Sequence, residues 1–260
     1  MTIQQRLEEI RMIVKRDTRI VVSELSRQFE VTEETIRRDL DKLEAEGLIT
    51  RTYGGAILNQ SITLENVDFN RRAQTNAAAK REIASLAASV IPWNTSVSAD
   101  ASSTVAEALK MLSMHEGITV LTNSIKAIDN LADTNIRLVS TGGIVNINTS
   151  SFKGTLTQRI FDSFNTEYAL FGCKAVTMDG GAYDSNEEEV ELKKSMIQHT
   201  VRPILLVDAS KFDKVAFAHL TDLSQLYMLI TDKKPSQKWC DFLNRKGVKL
   251  LYPNKENEEE

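Results

Sequence analysis

Apolar residues recur at i, i+4 and i+7 through the stretch 32–47, TEETIRRDLDKLEAEG. Ile36, Leu40 and Leu43 share one helical face; Glu34, Arg38, Asp41 and Lys42 lie opposite, with Thr35 and Arg37 on the flanks. Thr32 is placed to cap the start and Gly47 to end the helix in a left-handed conformation. Upstream, residues 23–29 form a shorter helical stretch with Leu25 and Phe29 four apart, and Glu30-Val31 makes a tight connection. Residues 4–15 supply a third helix with Leu7, Ile10 and Val14 inside. Residues 48–58, LITRTYGGAIL, predict a short hairpin with Leu48 in and Arg51 out. Three helices and a hairpin predict a winged helix-turn-helix, whose second motif helix enters the major groove.

Residues 57–74 are polar and carry no sustained period. A helix over 76–91 follows, with Ile83, Leu86, Ala87 and Val90 as its stripe and Pro92 beyond its end. Seven short apolar runs come next, at 96–99, 118–121, 136–139, 168–171, 204–207, 227–230 and 248–252. Helical patterns at 104–114, 124–132, 187–200 and 236–245 separate many of them. This alternation predicts an α/β unit with a mostly parallel sheet covered on both faces. The expected division is 1–57 for the DNA-binding domain, 58–74 for a linker, 75–253 for the α/β domain and 254–260 for an acidic tail.

Nearly every predicted strand runs into small, polar or charged residues: Asp100-Ala-Ser-Ser-Thr104, Thr122-Asn-Ser124, Ser140-Thr-Gly-Gly143, Gly172-Cys-Lys174, Asp208-Ala-Ser-Lys211 and Thr231-Asp232. In a parallel sheet these carboxyl ends converge on one edge, where such folds bind ligands. For Thr231-Asp232 ordinary capping is the preferred reading. The first two segments each open a helix, whose free N–H groups favour phosphate or carboxylate. Gly142-Gly143 permits a close backbone approach, with a plain turn as the competing reading. Lys174 and Lys211 can neutralise an anion, and Asp100, Glu188 and Glu189 can accept from sugar hydroxyls. A phosphorylated sugar or polyol matches these parts.

With 260 residues, 42% hydrophobic and 26% charged, the chain suits a two-domain globular protein. It contains neither an apolar run of membrane-spanning length nor a signal-peptide core, and cytoplasmic residence is expected. Cys173 and Cys240 lack CxxC spacing, so a disulfide framework is not expected; His115, His199 and His219 are scattered, so neither a metal site nor a cofactor is expected. Net charge is −4, and residues 1–57 hold 10 Lys+Arg against 11 Asp+Glu. DNA binding must therefore rest on local donors. Glu34, Thr35 and Arg38 are assigned to base edges; Thr32, Arg37, Lys42 and Arg51 to phosphates, with Arg19 joining them at the start of the second helix. The competing reading pairs Arg37 and Arg38 with Glu33, Glu34, Asp39 or Asp41 along the helix.

The stretch VTEETIRRDLDKLEAEGLITRTYGGA resembles the N-terminal signature of the DeoR family of bacterial transcriptional regulators. Val31, Thr35, Ile36, Arg37, Arg38, Asp39, Leu40, Leu43, Glu44, Gly47, Arg51, Gly54, Gly55 and Ala56 follow the family pattern, while Tyr53 stands where the family usually has His at the wing contact. The resemblance extends over roughly 75–233 through SADASST, VLTNS, STGGIVN, SFKG, LFGCK, SNEEEVELKKSMI and VDASKF, which look like the family's sensor-domain motifs. It implies a sensor similar in fold to ribose-5-phosphate isomerase and a phosphorylated-sugar effector. The matching effector-site positions are Asp100, Ser102, Ser103, Thr104, Asn123, Ser124, Gly142, Gly143, Gly154, Glu189, Lys193 and Lys211. Ser102-Ser103 replaces the commoner Gly-Thr, and Lys174 replaces an acidic residue, from which a sugar acid or doubly anionic ligand follows. The implied protein is a regulator of a sugar or polyol catabolic operon, with repression the family default. It would bind double-stranded operator DNA as a homodimer or homotetramer. The competing reading is a sugar-phosphate isomerase with a DNA-binding appendage, using Asp100 or Glu189 as base.

Overall fold

The computed structural model describes residues 2–17, 19–45, 49–58 and 69–254. Gly47, Leu48 and the tail from residue 255 lie outside the described residues, as does most of the expected linker. The chain forms two compact units, Met1–Asn66 and Val67–Glu260.

In the first unit α1 (Ile3–Asp17) leads into β1 (Arg19–Val21), α2 (Val22–Phe29), α3 (Glu33–Ala45), β2 (Ile49–Thr52) and β3 (Gly55–Leu58). Leu7, Ile10 and Val14 from α1, Leu25 from α2, and Ile36, Leu40 and Leu43 from α3 meet Ile20, Ile49 and Ala56 in one core, with Phe29 of α2 partly buried against it. Strand β1 was not expected. It pairs antiparallel with β3 and makes a three-stranded sheet of order β1-β3-β2. Its closeness explains Gly55, where an added β-carbon would stand 2.0 Å from the Ile20 carbonyl oxygen. It also moves Arg19, expected at the start of the second helix, onto a strand; α2 begins only at Val22.

The second unit opens with α4 (Phe69–Gln74) and α5 (Ala77–Val90), then β4 (Ser96–Ala99), α6 (Ser103–Leu112), β5 (Thr119–Thr122), α7 (Ile125–Leu131) and β6 (Arg137–Ser140). A hairpin of β7 (Ile144–Asn146) and β8 (Ser151–Lys153) precedes α8 (Thr155–Ser163) and β9 (Thr166–Gly172). Then come β10 (Ala175–Thr177), β11 (Gly181–Asp184), α9 (Glu187–Gln198), β12 (Thr200–Leu206), β13 (Ala218–Thr221), β14 (Met228–Ile230), α10 (Gln237–Arg245) and β15 (Lys249–Leu251).

Among the described residues the main sheet has seven strands, ordered β15-β14-β12-β9-β4-β5-β6. Every pairing in it is parallel. All seven apolar runs of the sequence became these strands. Residues alternate between two cores, as strand geometry requires: Leu170, Ile204 and Ile230 face the layer of α5 and α6, whereas Phe171, Leu205 and Leu229 face Val190 of α9 and Trp239 of α10. The strand order reverses at β4, which has β5 on one side and β9 on the other. Such a switch point opens a crevice at the carboxyl ends of the two diverging strands.

Candidate functional site

The first site is the exposed face of α3 and the wing. The α2–α3 turn is fixed locally: Glu30 takes a left-handed conformation (φ 53°), Val31 N–H donates to the Ser26 carbonyl at 3.1 Å, and Ser26 Oγ donates to the Val31 carbonyl at 2.6 Å. Thr32 Oγ1 accepts from Thr35 N–H at 3.2 Å, the capping bond expected of it. Beneath the helix, Arg6 Nε donates to the buried carboxylate of Asp39 at 2.6 Å. On the open face Arg37 pairs with Glu33 at 2.8 Å and Arg38 with Glu34 at 3.4 Å. Exposed pairs of this spacing contribute only about 0.3–0.5 kcal/mol, so either arginine can leave its partner for DNA. Glu34 and Lys42 are exposed beside them, and Thr35 is half-buried. Arg51 behaves differently. Its guanidinium bonds Asp41 and the Arg37 carbonyl, and its own N–H donates to Glu44 at 2.9 Å, so it braces β2 against α3. The hairpin turn displays Tyr53 fully to solvent, followed by Gly54 at φ +85°.

The second site is the crevice at the switch point. Its floor is a buried charge cluster. Lys193 Nζ lies 2.5 Å from Asp184 and 3.2 Å from Asp100, and donates to the Gly172 carbonyl at 2.9 Å. Burial opposes the Lys193 charge, but Asp184, Asp100 and Glu189 together hold its pKa above the usual lysine value. Burial likewise pushes Asp184 up, and the Lys193 charge and hydrogen bond bring it below the usual carboxylate value. Asp100 has both oxygens engaged, Oδ1 by Ser102 N–H at 2.9 Å and Oδ2 by Gly172 N–H at 3.0 Å. An added β-carbon at Gly172 would stand 2.8 Å from Ser102 Oγ, so glycine is what allows β9 to approach the start of α6. Ser102 caps α6 by accepting from Val105 N–H, and Ser103 and Thr104 form the buried first turn of that helix.

Around this floor the other expected residues divide. Ser124 is fully buried and caps α7 through Ala127 N–H, a structural duty. Asn123 is buried; its amide donates to the Phe152 carbonyl at 3.0 Å and its Oδ1 has no partner among the described residues. Gly142 (φ +56°) and Gly143 (φ +121°) make the turn after β6, where Thr157 Oγ1 donates to the Gly142 carbonyl at 2.7 Å. Gly154 is the residue before α8. Glu188 is drawn aside by Lys153 at 2.6 Å. Glu189 lies nearer the floor, its pKa raised by burial against the pull of Lys193. Lys174 follows β9 and Lys211 ends the short turn Ala209–Lys211 after β12. That turn is held by Asp232 Oδ1, which accepts from Ala209 N–H at 2.7 Å, the capping role expected there.

Sequence reasoning missed two cations. Burial lowers Lys174 to about 8, and the neighbouring charges of Arg72 and Lys211 add to this. Burial also lowers Lys80 to about 8, opposed by Asp208 and reinforced by Lys211, Arg72 and Lys174. Arg72 and Lys80 therefore belong to the same cationic group. The signal was present as Arg71-Arg72 and Lys80 flanking the start of a predicted helix, but nothing local distinguished them from a solvated surface. A separate shallow polar cavity of about 540 Å³ lies at the amino ends of the strands, lined by Trp93, Asn94, Thr119, Glu167 and Arg202, away from this group.

The chain matches two family models. Residues 6–62 match the DeoR-like helix-turn-helix domain, and residues 75–233 match the DeoR C terminal sensor domain. The chain belongs to the DeoR family. It is 38% identical over 251 residues to the uncharacterized HTH-type transcriptional regulator YulB of Bacillus subtilis, covering 96% of each chain. It is 35% identical to the L-fucose operon activator of Haemophilus influenzae, over 85% of this chain and 89% of that one. It is 34% identical to the HTH-type transcriptional repressor GlcR of Bacillus subtilis, over 95% of each. Ribose 5-phosphate isomerase A from Methanocaldococcus jannaschii is alike in part, at 16% identity and a TM-score of 0.39 over 53% of this chain and 55% of that one. As a DeoR-family member the protein is a DNA-binding transcriptional regulator, with its reader in residues 6–62 and its sensor in residues 75–233. No helix among the described residues is long and apolar enough to cross a membrane.

Proposed function

We propose that the protein represses a sugar or polyol catabolic operon in the cytoplasm and releases its operator when a phosphorylated sugar, or a related anion, binds the switch-point crevice. The observation that carries this reading is the gathering of the cations Lys174, Lys211 and Arg72 over a floor in which Lys193 is paired with both Asp100 and Asp184, beside the start of α6. An anion is the ligand such a crevice favours, because several cations and the start of a helix meet there. Glu189 and Asn123 Oδ1 are the acceptors left for sugar hydroxyls.

Glu34, Thr35 and Arg38 read bases, while Thr32, Arg37 and Lys42 set the register on phosphates, with the wing of Tyr53 and Gly54 alongside. Two copies are required to present paired helices to half-sites about one helical turn apart, so the active form is a homodimer or homotetramer. The effector acts by binding one arrangement of that assembly better than the other. An isomerase reading would use Asp100 or Glu189 as base; Asp100 already has both oxygens engaged by backbone N–H groups, which leaves Glu189 as the residue for the turnover assay below to judge.

The test is a thermal-shift screen of phosphorylated sugars, polyols and sugar acids on the full chain, followed by gel shift with each hit and by an assay for isomerised product. Stabilisation with loss of operator retention and no turnover is expected. Turnover of a pentose or hexose phosphate would overturn the proposal.

A further inference from the structure

We infer that Arg72 completes the anion seat of the sensor, so that an anion bound at the crevice locks down α4, the helix at the end of the chain segment leading from the DNA reader. This rests on the effector reading proposed above and adds its route of regulation.

Helix α4 has six residues, too few to persist without tertiary support. Its support comes from the turns that surround the crevice. Phe69 is buried, and its N–H donates to the Asn148 carbonyl at 3.0 Å. Lys80 Nζ donates to the Arg72 carbonyl and, at 2.7 Å, to the Thr75 carbonyl, closing the end of the helix. Asn76 Nδ2 donates to Asp208 Oδ1 at 3.2 Å and Ser210 Oγ at 3.3 Å, in the turn that carries Lys211.

The Arg72 side chain is fixed but unfinished. Its guanidinium lies 5.5 Å over the Phe69 ring and reaches the Thr149 carbonyl at 3.5 Å. Its Nε is buried and has no acceptor among the described residues. Buried donors are normally paired, so a lone one marks a position where an acceptor belongs. Arg72 shares its surroundings with Lys80, Lys174 and Lys211, whose charges oppose one another; Asp208 offsets this at Lys80, and Asp184 and Glu189 at Lys174, yet both lysines stay below the ordinary lysine value. An anion with two charges supplies both the missing acceptor and the missing countercharge. In doing so it joins Arg72 of α4 to Lys174 and Lys211 of the sheet edge.

The experiment uses the full chain with inorganic phosphate as the probe, at ionic strength balanced with chloride. Calorimetry gives affinity and hydrogen–deuterium exchange gives local protection. Phosphate is expected to slow exchange in segments 69–80 and 100–105 together. Arg72→Gln is expected to weaken phosphate binding by roughly tenfold or more and to abolish the slowing at 69–80. Arg72→Lys should restore part of both, and Arg71→Gln, at an exposed position of the same helix, should change neither. Should Arg72→Gln lower the melting temperature sharply, the wild-type exchange pattern and Arg72→Lys still decide. Slowing at 100–105 without any at 69–80, or wild-type affinity in Arg72→Gln, would overturn this inference and leave the effector reading standing. Slowing at neither segment would overturn both.

Discussion

Arg6 Nε and Asp39 Oδ2 lie 2.6 Å apart, with the two side chains 9% and 3% exposed. The bond joins α1 to the underside of α3, directly beneath the residues assigned to DNA. Asp39 sits between Arg38 and Leu40 in the sequence, yet it serves the core, because it points away from the face that carries Arg38. Removing one member of a buried pair leaves the other charge unpaired, which costs about 3–5 kcal/mol. Asp39→Ala is therefore expected to destabilise the DNA-reading unit by about 3 kcal/mol or more, read as loss of far-UV signal in urea. The double variant Arg6→Met/Asp39→Leu should recover most of that loss. A single variant that melts like wild type would remove the pair from the account of the fold.

Arg38 and Lys42 are expected to separate reading from holding. Arg38→Ala should weaken binding to a specific operator by about 1–3 kcal/mol, roughly 5- to 150-fold, and flatten base preference at one position. Lys42→Ala should weaken all sequences alike and reduce the slope of log affinity against log salt by about 1. Neither should shift the melting temperature appreciably, since Arg38 gives up only an exposed pair with Glu34. Gel shifts across a salt series and an operator library measure both effects.

Lys193 and Lys211 are expected to differ in kind. Lys193→Ala leaves Asp100 and Asp184 buried against each other, and a loss of about 3–5 kcal/mol in stability is expected in calorimetry. Lys211→Ala should keep the melting temperature and operator affinity but abolish release by the effector, seen in gel shift. A normal effector response in Lys211→Ala would clear that residue of an effector role.

Anion binding should weaken with rising pH. Lys80 and Lys174 sit at about 8 in the unliganded chain, so both lose charge above that value. A bound anion favours their charged forms, and binding then takes up protons. With sulfate, whose own charge is constant here, affinity should fall above about pH 8 by up to roughly tenfold per pH unit for each lysine. The sign reverses for the empty protein. Between about 8 and the ordinary lysine value of 10.5 the unfolded chain binds more protons, so these two groups make folding more favourable as pH rises. Sulfate titrations by calorimetry from about pH 7 to about pH 9 test the first expectation, and urea melts the second.

The elements readable from the sequence were those whose burial follows a simple period. Leu7, Ile10 and Val14, or Ile36, Leu40 and Leu43, repeat every turn because a single core receives them. The central sheet runs are near-continuous because both faces are covered. The elements that escaped notice are short and lie outside that sheet. Strands Ala175–Thr177, Gly181–Asp184 and Ala218–Thr221 form a small sheet of their own, and Arg19–Val21 is recognisable only from its partner β3. The crevice was legible through its polar strand ends. What was not legible was the division of labour. Nothing in the local sequence says that Asp100 and Lys193 pair with each other while Lys174 joins Lys211, or that Arg72, far away in sequence, shares their surroundings.

The Asp100–Lys193–Asp184 cluster has a mechanical consequence. Three opposed charges locked to each other and to the Gly172 backbone form a bed that resists deformation, since any shift would strand a charge without its counterpart. Whatever travels when a metabolite arrives must then come from the lighter pieces perched above: the single-turn segment before β13 and the short helix in front of α5. On the reading proposed above, the rigid bed stays fixed while Lys211 and Arg72, the contacts carried by those lighter pieces, close onto the ligand.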